Sequence, residues 1–333
     1  MNLVNLNNIK KNRTAIMGLA ILWVIAFHYS FFAKTPLSFV PERGYLGVDI
    51  FILLSSFGLC FSLKKDDNYA NFITRRLKRI IPTWWLLITV MLVINILLQK
   101  DHPHNLFQTI CYYSGIGWWF FYNEPYGIYY YEWYIPTLLA FYFFTPFLYK
   151  LNNKRITILF IASIIGAMIL GHYRIAPPLS MSYFRIPTYI YGVILYKMYS
   201  GQIDSKTSNK YLNISSVIGI TIFLYAMIFR AGECTVLYSF MFSMPLLFSI
   251  SNPLFVGKFN KFISFIGTLT LELYLLHIYN LPLKAVMNIV GNITLSTIIA
   301  VTSLIGIAYM VSYIMNDGIK KIDFNKLNWR KKS

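Results

Sequence analysis

The sequence predicts an all-α polytopic membrane protein of about ten transmembrane helices, N- and C-termini cytoplasmic, and three observations carry that expectation. Hydrophobic residues fill 57% of the 333 positions, charged residues only 13%, and the mean hydropathy is +0.54. The apolar residues gather into separate runs of near-bilayer length, more of them than the single core of a soluble fold this size could hide. The Lys and Arg residues concentrate in alternate connecting segments, which is the pattern that orients spans in a membrane.

Taken in order, the hydrophobic runs place spans near 15–33, 45–63, 80–98, 133–149, 156–172, 183–199, 211–229, 233–250, 262–281 and 294–316. The first follows a basic N-terminus (Lys10, Lys11, Arg13), exceeds the apolar core of a signal peptide and precedes no small-residue cleavage site, so it is expected to stay in the chain. A further apolar stretch, Leu106 to Tyr122, is decided by charge. If it does not cross, the N-terminus and segments 64–79, 150–155, 197–210, 251–261 and 317–333 share one side and hold 23 of the 30 Lys and Arg residues. If it does cross, every later basic loop changes sides and the asymmetry collapses. Residues 106–131 are therefore read as an extracytoplasmic excursion, in which GWWFFYNEPYGIYYYEW supplies interfacial rings. The organisation is expected to be one integral-membrane domain over 1–333, with a basic tail at 317–333 and no appended soluble domain.

The formal charge of +18 is accounted for by topology signals and attraction to anionic membrane lipids, which leaves no support for nucleic-acid binding. Cys60, Cys111 and Cys234 are far apart and lack CxxC or metal-ligand spacing, so they read as core residues and no metal site is expected.

The titratable residues inside the spans point to chemistry, because ionisable groups in a bilayer are costly unless paired or facing a cavity. His28 lies about two-thirds along the first span, and Asp49 sits shortly after the start of the second, within GYLGVDIFILLSSFGL. Two antiparallel helices joined at one end bring such positions to similar depth, so a His28–Asp49 pair is expected, with the carboxylate orienting an imidazole general base. The alternative is a histidine that merely hydrogen-bonds a neighbouring helix. Ahead of the third span, NFITRRLKRIIPTWW places Arg75, Arg76 and Arg79 on one helical face, a geometry suited to phosphates or to a plain topology anchor. SFIGTLTLELYLLHIYN brings Glu272, Tyr274 and His277 into one span, Glu272 being the costliest to bury.

Six segments in order resemble the membrane-bound acyltransferase family 3: GLAILWVIAFH (18–28), GYLGVDIFILLSSFGL (44–59), RRLKRIIPTWW (75–85), WYIPTLLAFYFFTPFL (133–148), RIPTYIYGVILYK (185–197) and FIGTLTLELYLLH (265–277). The resemblance covers nearly the whole chain. It implies an acyl-CoA-dependent O-acyltransferase of the cytoplasmic membrane that moves an acyl group, acetyl above all, onto a hydroxyl of a polysaccharide or lipid-linked glycan. His28 looks like the family's essential histidine and Asp49 its acidic helper. Arg76 and Arg79, with Arg75 beside them, look like the site for the CoA phosphates. Arg185, Glu132, Trp133, Glu272, Tyr274 and His277 fall where acceptor binding is expected. Acyl-CoA is then a co-substrate, and no permanently bound cofactor is implied.

One position departs from the pattern. The basic residue that the family carries eleven positions before the histidine is here Met17, and Arg13, one turn earlier on the same face, is the candidate replacement. The resemblance leaves open direct transfer and a covalent intermediate on His28 or on a serine, with Ser55 and Ser56 as candidates. Two other classes compete. One is a proton-coupled transporter, which the missing inverted repeat disfavours, and the other is a non-catalytic polysaccharide export component.

Overall fold

A computed structural model describes residues 3–30, 40–97, 103–121, 133–277 and 281–321, and every regular element among them is helical. The α-helices are α1 (Leu6–Ser30), α2 (Gly47–Lys65), α3 (Tyr69–Leu97), α4 (Leu106–Ser114), α5 (Gly117–Phe121), α6 (Tyr134–Lys150), α7 (Asn153–His172), α8 (Ser180–Tyr183), α9 (Ile186–Tyr199), α10 (Ser205–Ile228), α11 (Glu233–Ile250), α12 (Gly257–Thr268), α13 (Thr270–His277), α14 (Leu281–Val290) and α15 (Ile293–Lys321).

Each of the ten expected spans falls on a helix, but among the described residues fewer than ten meet the length and polarity of a spanning helix. The helices α2, α3, α7, α10, α11 and α15 are long and apolar enough to cross a bilayer, and α12 with α13 adds a seventh if this pair, bent by 65°, is one broken span. The remainder depart for local reasons. Helix α6 has 17 residues, α9 has 14 because Pro187 fixes its start, and α1 carries Lys10, Lys11 and Arg13 in its first half.

The stretch 106–121 does not form a span. Gly115, at φ +78, breaks it into α4 and α5, of nine and five residues, and nine residues reach only about 14 Å. Helix α4 lies against α3, where the Tyr112 hydroxyl donates to the Ile88 carbonyl at 2.9 Å. Trp118 Nε1 donates to the Pro178 carbonyl at 2.7 Å, tying α5 to the segment ahead of α8.

The helices form an inner group and a lipid-facing ring. Of the apolar window of α2, 78% is buried, against 11% for α7, so α2 is central and α7 peripheral. Helix α1 packs on α2, α11, α12 and α13, while α2 also packs on α9. The basic segments meet at one end of the bundle. Lys10 Nζ donates to the Tyr199 hydroxyl at 3.0 Å, Asn12 Nδ2 to Asn252 Oδ1 at 2.8 Å, Arg76 Nη2 to Ser62 Oγ at 3.0 Å and Lys197 Nζ to the Tyr149 carbonyl at 3.1 Å.

Without a hydrophobic drive between helices in lipid, close backbone approach supplies the packing. Gly18 of α1 and Gly267 of α12 face each other so tightly that a methyl on Gly267 overlaps the Thr14 carbonyl, and one on Gly18 overlaps that of Ile263. Since rigid backbone must move to accept it, Gly267→Ala is expected to cost about 3 kcal/mol or more in thermal unfolding of the detergent-solubilised protein. Gly166→Ala on α7, with nothing within 4 Å of the added methyl, should leave stability unchanged or slightly raised. Equal behaviour of the two variants would show that the α1–α12 crossing does not depend on small residues.

Candidate active site

Two of the cavities among the described residues share one lining residue, Tyr274. The first, of 240 Å³, is lined by Arg13 and Met17 of α1, Ser55 and Gly58 of α2, Arg76 and Arg79 of α3, Tyr134 and Tyr142 of α6, and Thr270 and Tyr274 of α13, among others. Among the described residues, three guanidinium groups therefore line it and no carboxylate does. Thr270 is the first residue of α13, so the positive end of a helix dipole adds to the field. Met17, which stands where a basic residue was expected, lines the same cavity as Arg13. The longer reach of Arg13 brings its guanidinium over Gly58, where any side chain would collide with it.

The arginines divide as a helix dictates. Arg76 and Arg79, three apart, face the cavity, whereas Arg75 is turned about 100° away from Arg76. The expectation that Arg75 joins the phosphate site is corrected: Arg75 Nη1 meets Asp66 Oδ2 at 2.5 Å in a half-exposed ion pair at the α2–α3 turn. Its hydrogen bond holds the Asp66 carboxyl below the usual range.

The second cavity, of 530 Å³, holds His28. Its other walls include Phe27, Arg43, Tyr45, Trp118, Trp133, Met181, Arg185, Glu233 and Tyr274. Five of its described side chains are Phe, Tyr or Trp and four are His, Arg or Glu, the make-up of a site for a polar molecule with flat apolar faces. Tyr274 stands between the cavities, with its ring 4.5 Å from that of Tyr134 in the arginine cavity.

Here the structure departs from the expected His28–Asp49 couple. Asp49 is fully buried and its ion-pair partner is Arg185, with Oδ2 and Nη2 3.5 Å apart, and neither carboxylate oxygen makes a hydrogen bond. Arg185 also donates to the Met181 carbonyl at 3.0 Å and lies 4.7 Å from the Trp133 ring centroid, a cation–π contact. The hairpin argument considered only the two helices it joined, whereas α9 packs closely on α2 and brings in a stronger partner. His28 instead contacts His277 of α13, with ring centroids 4.7 Å apart in edge-to-face arrangement.

The remaining candidates separate as follows. Tyr274, Trp133 and Arg185 line the His28 cavity, and His277 stands against His28. Glu272 is buried and lines neither cavity; Ser312 of α15 gives it a side-chain hydrogen bond, so the expected role in acceptor binding is replaced by a tie between α13 and α15. Glu132 lies outside the described residues. Ser56 donates to the Leu53 carbonyl at 3.0 Å in a fully buried position, and Ser55 lines the arginine cavity, not the one with His28. The reading of the sequence did not name Arg43, Tyr45 and Glu233. Glu233, a charge at the first position of an apolar helix, was the available signal. Among the described residues no group of three or more His, Cys, Asp and Glu side chains could hold a metal ion.

Removing one member of a buried ion pair leaves the other charge uncompensated, at a cost of about 3–5 kcal/mol. Asp49→Asn should thus lower the unfolding temperature and the amount of folded protein, and the double variant Asp49→Leu, Arg185→Met should recover much of that loss. An Asp49→Asn protein of wild-type stability would show that the pair does not hold α2 to α9.

A family model described as an acyltransferase domain matches residues 15–317. A protein of Acidianus two-tailed virus, ORF330, whose given name proposes an acetyltransferase, is 24% identical over 295 residues, covering 83% of this chain and 84% of its own length. No solved structure matches the chain.

Proposed function

Because the chain belongs to acyltransferase family 3, whose model spans residues 15–317, we propose that it moves an acyl group, acetyl above all, from acyl-CoA to a hydroxyl of a surface or exported carbohydrate. The observation that carries this reading is the pair of cavities meeting at Tyr274, one lined, among the described residues, by three arginines and no carboxylate, the other holding His28 among aromatic rings. The first suits the phosphates of a CoA nucleotide, and the second suits a sugar that stacks on Trp118 and Trp133. The two ends of the reaction then approach from opposite sides of Tyr274.

In this mechanism Arg13, Arg76 and Arg79 bind the nucleotide phosphates and the thioester arm reaches past Tyr274. His28 takes the proton of the acceptor hydroxyl as its oxygen attacks the thioester carbonyl. A carbon–oxygen bond forms, the carbon–sulfur bond breaks, and the proton passes from His28 to the departing thiolate, giving the ester and free CoA thiol. The positions of Ser55 and Ser56 favour direct transfer over an acyl-serine. Asp49 is reassigned from helper of the base to counter-ion of Arg185, which it holds in the cavity wall. The protein sits as a multi-pass protein in the cytoplasmic membrane with its basic end inward, on the side where acyl-CoA is made.

Membrane vesicles given labelled acetyl-CoA should form a labelled, alkali-labile ester on endogenous glycan, and His28→Ala should abolish this while the protein still inserts and accumulates. Uptake of a solute with no covalent label would instead indicate a transporter. Because a bidentate arginine–phosphate contact contributes about 1.5–3 kcal/mol, Arg76→Lys and Arg79→Lys should each raise KM for acetyl-CoA about tenfold to a hundredfold with kcat little changed. Unaltered KM in the double alanine variant would leave these arginines as topology anchors.

The orientation has its own test. In a background with Cys60, Cys111 and Cys234 replaced, a cysteine at Asn152 should resist a membrane-impermeant thiol reagent added outside, and one at Tyr173 should react. The opposite pattern would put the arginine cavity on the wrong face for a cytoplasmic donor.

A further inference from the structure

His277 is the last residue of α13, almost wholly buried at 1% exposure, and packs its ring edge-to-face on His28 with the centroids 4.7 Å apart. Its Nδ1 lies 2.6 Å from the Tyr274 carbonyl oxygen and 3.2 Å from that of Leu273. A carbonyl oxygen has only lone pairs to offer, so a contact this short requires the hydrogen to be on Nδ1. In a neutral imidazole the other nitrogen is then a bare acceptor. That atom, Nε2, is buried and has no hydrogen-bond partner, a condition that costs free energy unless something donates to it. The backbone of α13 has thus set the tautomer of His277, and the ring against it is that of His28.

We propose that His277 is the positioning residue for His28, with its Nε2 accepting the N–H of the His28 ring. The edge-to-face packing, with centroids 4.7 Å apart, puts the two rings in direct contact. That hydrogen bond would fix the His28 tautomer and leave its other nitrogen, the one that takes the acceptor proton, unprotonated in the cavity. When the acceptor O–H gives up its proton, His28 becomes an imidazolium whose second N–H still points at Nε2 and is held there until the proton leaves with the thiolate. A neutral ring takes the role usually given to a carboxylate, because the ring packed against His28 is that of His277, while Asp49 is paired with Arg185, Glu272 is bonded to Ser312 and Glu233 stands elsewhere in the cavity lining.

This inference rests on the proposed use of His28 as base, and three variants of the full-length protein test it apart from that reading. The glutamine amide oxygen stands close to where Nε2 was, so His277→Gln keeps an acceptor facing His28. His277→Asn keeps a donor near the α13 carbonyls but withdraws the acceptor, and His277→Phe removes both. Initial rates of label transfer from acetyl-CoA are measured in native membrane vesicles, normalised to the amount of monodisperse protein recovered in detergent. The expected order is wild type, then His277→Gln within a few-fold, then His277→Asn and His277→Phe with kcat lower by at least about tenfold, all with the same KM for acetyl-CoA. His277→Asn as active as His277→Gln would overturn the proposal and leave His277 as a clamp on its own helix. So would a loss confined to KM. If His277→Phe fails to accumulate, the Gln–Asn comparison still decides. Wild-type vesicles that transfer no label from acetyl-CoA would sink the donor reading itself, before any variant is compared.

Discussion

The ion pair between Asp49 and Arg185 is the constraint on which the central architecture depends. Both groups are closed to solvent, so neither helix can move away without stranding a charge in a medium that solvates it poorly. The pair fixes α2 against the first turn of α9, and from there Arg185 reaches the Met181 carbonyl and the face of Trp133. One wall of the His28 cavity is therefore set electrostatically. The opposite wall is set by shape, through the glycine contact that presses α1 onto α12 and carries His28 toward α13.

The broken passage from α12 to α13 connects these walls to the second cavity. A straight continuation would have carried α13 on along the axis of α12. The 65° bend instead turns α13 inward, with its first residue at the arginine cavity, Tyr274 between the cavities and its last residue against His28. One eight-residue helix thereby touches the anion site, the partition and the base, so a shift of that helix moves all three together.

Much of this was legible in the sequence, and the limits are physical. Hydrophobic runs located the helices because burial in lipid imposes that pattern residue by residue, and His28, Arg76 and Arg79 stood out because charge in such runs is expensive. Partners were less legible. Asp49 was matched to His28 on depth along one hairpin, yet its counter-ion comes from a helix far along the chain, and nothing local in either segment records which helices become neighbours. Arg75 was grouped with Arg76 because the charge run is continuous, while a helix turns by 100° per residue and an acceptor, Asp66, waited at the turn. The bend at Leu269 was not legible either, because hydropathy does not see a break where the polarity of the sequence is unchanged but its direction is not.

The absence of a side chain at Gly58 has a consequence for how this chain can change. The guanidinium of Arg13 occupies the volume that any larger residue at 58 would claim. The cationic lining contributed by α1 is therefore encoded jointly, by a long side chain on one helix and a vacancy on the next. Moving the positive charge up one turn, to position 17, would empty that space and let position 58 grow, whereas enlarging 58 first would require the end of the Arg13 side chain to shift. Positions 13, 17 and 58 are thus coupled through one side chain, and a larger residue at 58 changes where the Arg13 guanidinium can rest.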